Sequence, residues 1–141
     1  MQKRLCGREQ EFGVKIIPSA KGVNLNRGTR TDIICEIIDL IPKIVPAVTF
    51  YRGSSDYWLC NGSRVYFDMD SVETCTAEHL AGSFDGIAQE KAMELILNKS
   101  VKLILRSKIG VESLTLYKNN VWLQKERGYS GEVTYGSHHN Y

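Results

Sequence analysis

The sequence predicts an α+β chain, a mainly antiparallel sheet with two amphipathic helices packed on one of its faces. Three observations point there. Two stretches, beginning near Ile33 and Leu80, repeat apolar residues at helical spacing; several short runs alternate apolar and polar residues with a period of two; and Asn61-Gly62 joins two of those runs. With 141 residues, 43% of them hydrophobic and 24% charged, the chain can bury one core but hardly two. Residues 1–141 are therefore read as a single domain.

From Cys6 to Ile17 the odd positions include Gly7, Glu9, Glu11 and Gly13, and the even ones Phe12, Val14 and Ile16. A strand here places both glutamates on one face and the apolar side chains on the other. Residues 18–30 are polar and aperiodic, which predicts a loop. A helix is expected next, with Thr31 as N-cap, Asp32 in its first turn, and Ile33, Ile34, Ile37, Ile38, Ile41, Ile44 and Val45 along the buried stripe.

Tyr57–Cys60 and Ser63–Met69 read as a hairpin closed by a type I′ turn at Asn61-Gly62. In its second strand Arg64, Tyr66, Asp68 and Asp70 share one face, while Val65, Phe67 and Met69 occupy the other. A second amphipathic helix is expected over Thr76–Leu97, and further strands over Val101–Arg106, Leu114–Lys118 and Val133–Tyr141. The last run ends in mid-pattern. That leads to the expectation of the N-terminal part of a larger domain, completed by a further C-terminal segment or a second chain.

Composition excludes several classes. The chain lacks the charge and Pro/Ser excess of disordered sequences and the cysteine density of small secreted scaffolds. A net charge of +2 does not suggest a nucleic-acid partner. Its distribution is uneven: seven basic and two acidic groups in residues 1–30, four and eleven in 31–98, seven and three in 99–141. Cys6, Cys35, Cys60 and Cys75 form no C-x-x-C and are read as free thiols. The basic N-terminus runs into Gly7, Arg8 and Glu9 before any signal-peptide core, and the apolar stretch 33–50 is interrupted by Glu36, Asp39, Pro42, Lys43 and Pro46. A cytoplasmic protein without a membrane partner is expected.

Glu9 and Glu11 alone are a weak motif, since exposed strands often carry charge on one face. The nearby acidic residues Asp68, Glu73 and Glu78 strengthen it. Carboxylates converging from separate strands suit Mg²⁺, a hard cation that takes oxygen ligands and bridges nucleotide phosphates. Lys118-Asn119-Asn120 could bind phosphate or simply end a strand. His138 and His139, adjacent on a strand, point to opposite faces and do not form a simple zinc pair.

Taken together, Gly7-Arg8-Glu9-Gln10-Glu11-Phe12-Gly13, Asn61-Gly62-Ser63-Arg64-Val65-Tyr66-Phe67-Asp68, Lys118-Asn119-Asn120 and Tyr135-Gly136-Ser137-His138-His139-Asn140-Tyr141 resemble the Pup ligase and Pup deamidase/depupylase family. This is the proteasome accessory factor A and Dop group, related to glutamine synthetase. The blocks keep their order and approximate intervals, and the resemblance covers the family's N-terminal third or so.

The resemblance implies a curved antiparallel sheet of the glutamine-synthetase type that carries ATP and Mg²⁺. By it, Glu9 is a metal ligand with Glu11 beside it, Glu73 is a further metal ligand, and Asp68 is the catalytic base next to Tyr66. Arg64, Lys118 and Asn119 are cofactor-binding candidates. The partners implied are Pup, whose C-terminal glutamate side chain is phosphorylated, and a target protein whose lysine attacks the acyl phosphate to form an isopeptide bond. Deamidases use the same site on a glutamine amide or on the isopeptide.

Two departures stand out. The spacing from Asp68 to Glu73 is one residue shorter than the family's, and His139 stands where the family has glutamate, which would remove an anionic ligand. Residues 116–121 and 135–138 look more like the deamidase branch, but the long insertion that branch carries before the hairpin is missing between Pro46 and Asp56. The ligase is the favoured reading. The alternatives are the deamidase, a truncated non-catalytic interaction protein, and a ligase of the same fold acting on a small substrate.

Overall fold

A computed structural model of the chain describes residues 4–19, 28–49, 51–107 and 110–118 in full, together with the backbone of Arg27, 121–126, 129–134 and 137–140. The elements run β1 (Leu5–Pro18), α1 (Arg27–Asp39), a 3₁₀ turn (Ile41–Lys43), β2 (Ala47–Thr49), β3 (Asp56–Leu59), β4 (Arg64–Asp68), β5 (Ser71–Cys75), β6 (His79–Leu80), α2 (Asp85–Ser107), β7 (Val111–Lys118), β8 (Val121–Glu126), β9 (Tyr129–Thr134) and β10 (Ser137–Asn140). The main sheet has the order β10-β1-β5-β4-β3-β2, with β6 and β7 also paired to β1, and β8 and β9 form a separate hairpin. Every strand pair is antiparallel.

Alternation along β1 sets the two faces. Phe12 and Val14 are buried with Val65, Val72 and Leu114 of the neighbouring strands, against Ile33, Ile34, Ile37 and Ile38 of α1 and Met93, Leu97, Val101 and Ile104 of α2. Each buried aliphatic side chain contributes about 1.5–3 kcal/mol, so this single layer of helices on sheet accounts for the core. The opposite face carries the odd residues of β1. The expected sheet with two helices on one face is what forms, and the expected strand at Leu114–Lys118 lies within β7.

Several boundaries differ from expectation. Helix α1 begins at Arg27, not after Thr31. The polar turn 27–30 has no apolar periodicity, but the Arg30 guanidinium donates to the Val14 carbonyl at 2.7 Å and ties that turn to β1. Thr31 is inside the helix and faces Asp70 at 3.5 Å instead of capping. The helix ends at Asp39 because Pro42 follows in the 3₁₀ turn. Helix α2 starts nine residues later than expected and runs ten further, through the predicted strand at Val101–Arg106. Val101 and Ile104 continue the stripe of Met93 and Leu97, and Ser100 is buried with them. The apolar run that suggested a strand is the last buried face of the helix.

The 57–69 hairpin forms, but its turn is of another type. Gly62 N–H donates to the Leu59 carbonyl at 2.9 Å and Leu59 N–H to the Ser63 carbonyl at 2.8 Å; only Gly62 of the loop has positive φ, at 83°. This is a three-residue loop with a left-handed glycine. The two-residue turn with both central residues left-handed lies one strand later. Met69 (φ 39°) and Asp70 (φ 70°) connect Asp68 to Ser71, an arrangement that costs side-chain-bearing residues about 1–2 kcal/mol each. It launches β5, a strand the sequence reading did not assign. The expected run at Val133–Tyr141 divides between the end of β9 and β10, with residues 135, 136 and 141 outside the described ones.

Candidate functional site

Strand register brings the predicted residues together. Glu9 pairs with Cys75 and Glu11 with Glu73 across β1 and β5, while Arg64 pairs with Cys75, Tyr66 with Glu73 and Asp68 with Ser71 across β4 and β5. With a side-chain period of two, Glu9, Glu11, Arg64, Tyr66, Asp68, Glu73 and Cys75 share the face away from the helices. Ligand atoms of Glu11, Asp68 and Glu73 lie within 4.8 Å of one another, and so do those of Glu9, Glu73 and Cys75. Glu73 belongs to both groups and is the centre of the site.

The electrostatics of this centre are unfavourable as they stand. Glu73 is only 6% exposed. Burial pushes its carboxyl above the ordinary carboxylate range; the Tyr66 hydrogen bond opposes this, but repulsion from Glu9, Asp68 and Glu11 adds to it. Among the described residues Glu73 forms no ion pair. Tyr66 is likewise raised, first by burial and then by Cys75 and Glu73, so its phenol stays protonated and donates to the Glu73 carboxylate. Burial raises the Cys75 thiol to about 11, with Glu9 and Glu73 adding to the shift against the Tyr66 hydrogen bond.

Arg64 forms the cationic border of the face. Its Nε and Nη2 donate to the two Asp56 oxygens at 2.9 and 2.6 Å, and its guanidinium lies 4.3 Å from the Tyr66 ring centre and 5.5 Å from that of Trp58. A bidentate, stacked guanidinium is pre-oriented and presents its remaining donors in a fixed direction. Sequence reading missed Asp56, Trp58 and Cys75. The alternation of Ser71, Glu73 and Cys75 with Val72 and Thr74 was the available signal for the last of these.

Lys118 is placed elsewhere. It pairs with Phe12 across β1 and β7 and sits on the helix face, where Nζ reaches Glu94 at 2.6 Å and Glu90 at 3.2 Å. Arg8 also donates to Glu90, at 2.9 Å. The ammonium expected at the cofactor instead fastens β7 to α2. Asn119 lies outside the described residues. In β10 the backbone position opposite Glu9 is His138, and the one opposite Arg8 is His139.

The carboxylates of Glu9, Glu11 and Asp68, gathered around the buried Glu73, fit a hard divalent ion such as Mg²⁺. The oxygen donors of Glu9, Glu11, Asp68 and Glu73 have the required chemistry.

Comparisons with known proteins agree with this architecture. The Pup-ligase protein family matches residues 4–141. The chain is 33% identical over 148 residues to the Pup–protein ligase of Renibacterium salmoninarum, covering 100% of this chain and 27% of that protein. It is 30% identical over 142 residues to the Pup–protein ligase of Paenarthrobacter aurescens, covering 100% and 28%. The crystal structure of the complex between prokaryotic ubiquitin-like protein Pup and its ligase PafA matches in fold with a TM-score of 0.62 and 24% identity, over 97% of this chain and 24% of that chain. The chain thus spans about a quarter of the length of the relatives it matches. No helix among the described residues is long and apolar enough to cross a membrane. With the family match extending from Arg4 to Tyr141, this chain belongs to the Pup ligase family.

Proposed function

We propose that this chain supplies the cation-binding sheet of an ATP- and Mg²⁺-dependent ligase that joins the C-terminal glutamate side chain of Pup to a lysine of a target protein. The observation that carries the reading is the convergence of Glu9, Glu11 and Asp68 on one face around the buried carboxylate of Glu73. Glu9, Glu11 and Glu73 hold the ion, which when bound neutralises the cluster and orients nucleotide phosphates.

Arg64, fixed by Asp56, flanks the ion site and contacts phosphate oxygens. Asp68 acts as base at the end of β4, beside the Met69-Asp70 turn. As the lysine nitrogen bonds to the acyl carbon, phosphate departs and Asp68 takes up the proton that the nitrogen sheds. Tyr66 holds Glu73 in place through its phenol. Asn119 keeps a cofactor-binding role on the family resemblance, whereas Lys118, engaged by Glu90 and Glu94 on the other face, has a structural one. The deamidase alternative uses the same residues, and residues 116–121 and 135–138 favour it.

Calorimetric titration of Mg²⁺-ATP into the 141-residue chain tests the reading. Saturable binding is expected, weakened about tenfold or more by Glu9→Ala. Absence of binding by the parent chain, or equal binding by the variant, would overturn the assignment. In the enzyme completed by the family's remaining segments, Pup ending in glutamate distinguishes ligase from deamidase, which needs glutamine or the isopeptide.

A further inference from the structure

Where β1 meets β6, Cys6 and His79 stand opposite each other, and Cys6 Sγ is 3.4 Å from His79 Nε2. On the far side of the ring, Nδ1 is 3.1 Å from the Ala77 carbonyl. A carbonyl only accepts, so Nδ1 carries the proton of the neutral ring and Nε2 presents its lone pair to the thiol. The other acceptor within reach of the thiol, the His79 carbonyl, is farther away at 3.6 Å. The ring has little room to turn, since His79 is buried and lies against Gly86 of α2, where a Cβ would collide with it. A thiol, a base and a group that orients the base thus follow one another, the arrangement that activates a sulfur nucleophile.

The pair opens onto a cavity of about 240 Å³ that Arg8, Ser83, Phe84 and Ile87 also line. A separate observation points to a ligand there. Ser83 Oγ is shut off from bulk solvent and has no hydrogen-bond partner among the described residues, whereas a buried hydroxyl is normally bonded. Arg8 alone is charged among the described lining residues, and Glu90 engages it at 2.9 Å. The polar group left for a ligand is therefore one hydroxyl that can both donate and accept, beside the apolar side chains of Phe84 and Ile87. Cavities that hold drug-sized molecules measure about 300–1,000 Å³. This one suits a smaller, neutral molecule.

We propose that Cys6, with His79 as its base, is a peroxide-reactive thiol, and that hydrogen peroxide or a small alkyl hydroperoxide enters the cavity, hydrogen-bonds to Ser83 Oγ and oxidises Cys6 to a sulfenic acid. The sulfur attacks one peroxide oxygen while His79 Nε2 takes up the thiol proton. An S–O bond forms and the O–O bond breaks. The leaving hydroxide or alkoxide receives the same proton back from His79 and departs as water or alcohol, so the thiol is oxidised by two electrons and the peroxide reduced by two. A base that must give up its proton again calls for a leaving group of this kind. The reaction is independent of the proposed ligase chemistry.

The test is exposure of the reduced 141-residue chain to hydrogen peroxide in the presence of dimedone, which traps sulfenic acids, with the adduct on each cysteine followed by peptide mass spectrometry. Cys60, the exposed thiol, is the internal reference. Half-buried Cys6 should be labelled about tenfold or more faster than Cys60. His79→Gln should slow labelling of Cys6 by about a hundredfold, and leave that of Cys60 within about twofold of the parent. Ser83→Ala removes a hydroxyl without a partner in the fold, so it keeps the structure should His79→Gln impair folding, and it should slow Cys6 by about fivefold, the worth of one hydrogen bond to the peroxide. A Cys6 adduct no faster than that on Cys60, or a Cys6 rate unmoved in either variant at an unchanged urea midpoint, overturns the proposal.

Discussion

Glu73→Gln separates the cost of the carboxylate cluster from its use. Each pair of unit charges 4.8 Å apart, the limit within which these ligand atoms lie, repels by about 3.5 kcal/mol at an effective dielectric of 20. Glu73 faces Glu9, Glu11 and Asp68 at once. The parent already sheds part of this repulsion because burial and its neighbours favour the neutral carboxyl. What the amide recovers is the remainder, about 1–2 kcal/mol, with the carbonyl oxygen still able to accept from Tyr66. In the presence of a chelator at about pH 8, the variant should melt roughly 3–7 °C above the parent.

Divalent cation should then work in the other direction. Mg²⁺ at about one hundred times its dissociation constant stabilises the protein that binds it by about 2.7 kcal/mol, so the parent should overtake the variant as the ion is added. Urea unfolding followed by circular dichroism, at constant m-value, measures both arms. A variant less stable than the parent in chelator, or Mg²⁺ stabilising the two equally, would refute the account of Glu73 as a destabilised centre held for a cation.

Other outcomes follow from packing and from the helix-face ion pairs. A Cβ on Gly86 would collide with Nε2 and Cε1 of His79, and the ring cannot easily retreat, since it is buried and contacts Cys6 Sγ at 3.4 Å and the Ala77 carbonyl at 3.1 Å. Gly86→Ala should lower stability by about 1–2 kcal/mol, overpacking of about 2–3 outweighing a gain of about 1 in helix propensity; a urea midpoint equal to the parent's would contradict this. Glu90→Gln should cost about 1 kcal/mol near neutral pH. Burial opposes ionisation of Glu90, but the hydrogen bonds from Arg8 and Lys118 outweigh it and hold the carboxyl below its ordinary value. The contribution is therefore complete above the ordinary carboxylate range and lost as pH falls through the lowered value, so parent and variant should converge once the pH is below it. Burial pushes the Lys118 ammonium down, but the hydrogen bonds to Glu94 and Glu90 outweigh it and hold the group above its usual value, so its share should disappear as pH rises through that raised value, a second window visible in the same titration.

The sequence by itself determined the two-faced strands. A period of two in residues 7–16 and 64–68 put Glu9 and Glu11 on one side of β1 and Tyr66 and Asp68 on one side of β4, because side chains alternate wherever the backbone is extended. The isoleucine stripe of α1 was equally legible, as was the hairpin between β3 and β4. The family motifs then lent these faces a chemistry.

Tertiary structure decided what alternation leaves open. Period-two patterning assigns a residue to a face but cannot say which strand lies beside it or in what register. The pairing of Glu11 with Glu73 and of Glu73 with Tyr66 made Glu73 the buried centre, and that depended on β5, whose start is set by a left-handed turn at Met69-Asp70 that neither residue advertises. Packing likewise carried α2 through the strand-like run at Val101–Arg106, since the core rewards a continuous stripe more than local propensity resists it. Lys118 was drawn to the helix face for the same kind of reason. Its position opposite Phe12 points it at Glu90 and Glu94, partners remote in sequence that only the folded chain brings within reach.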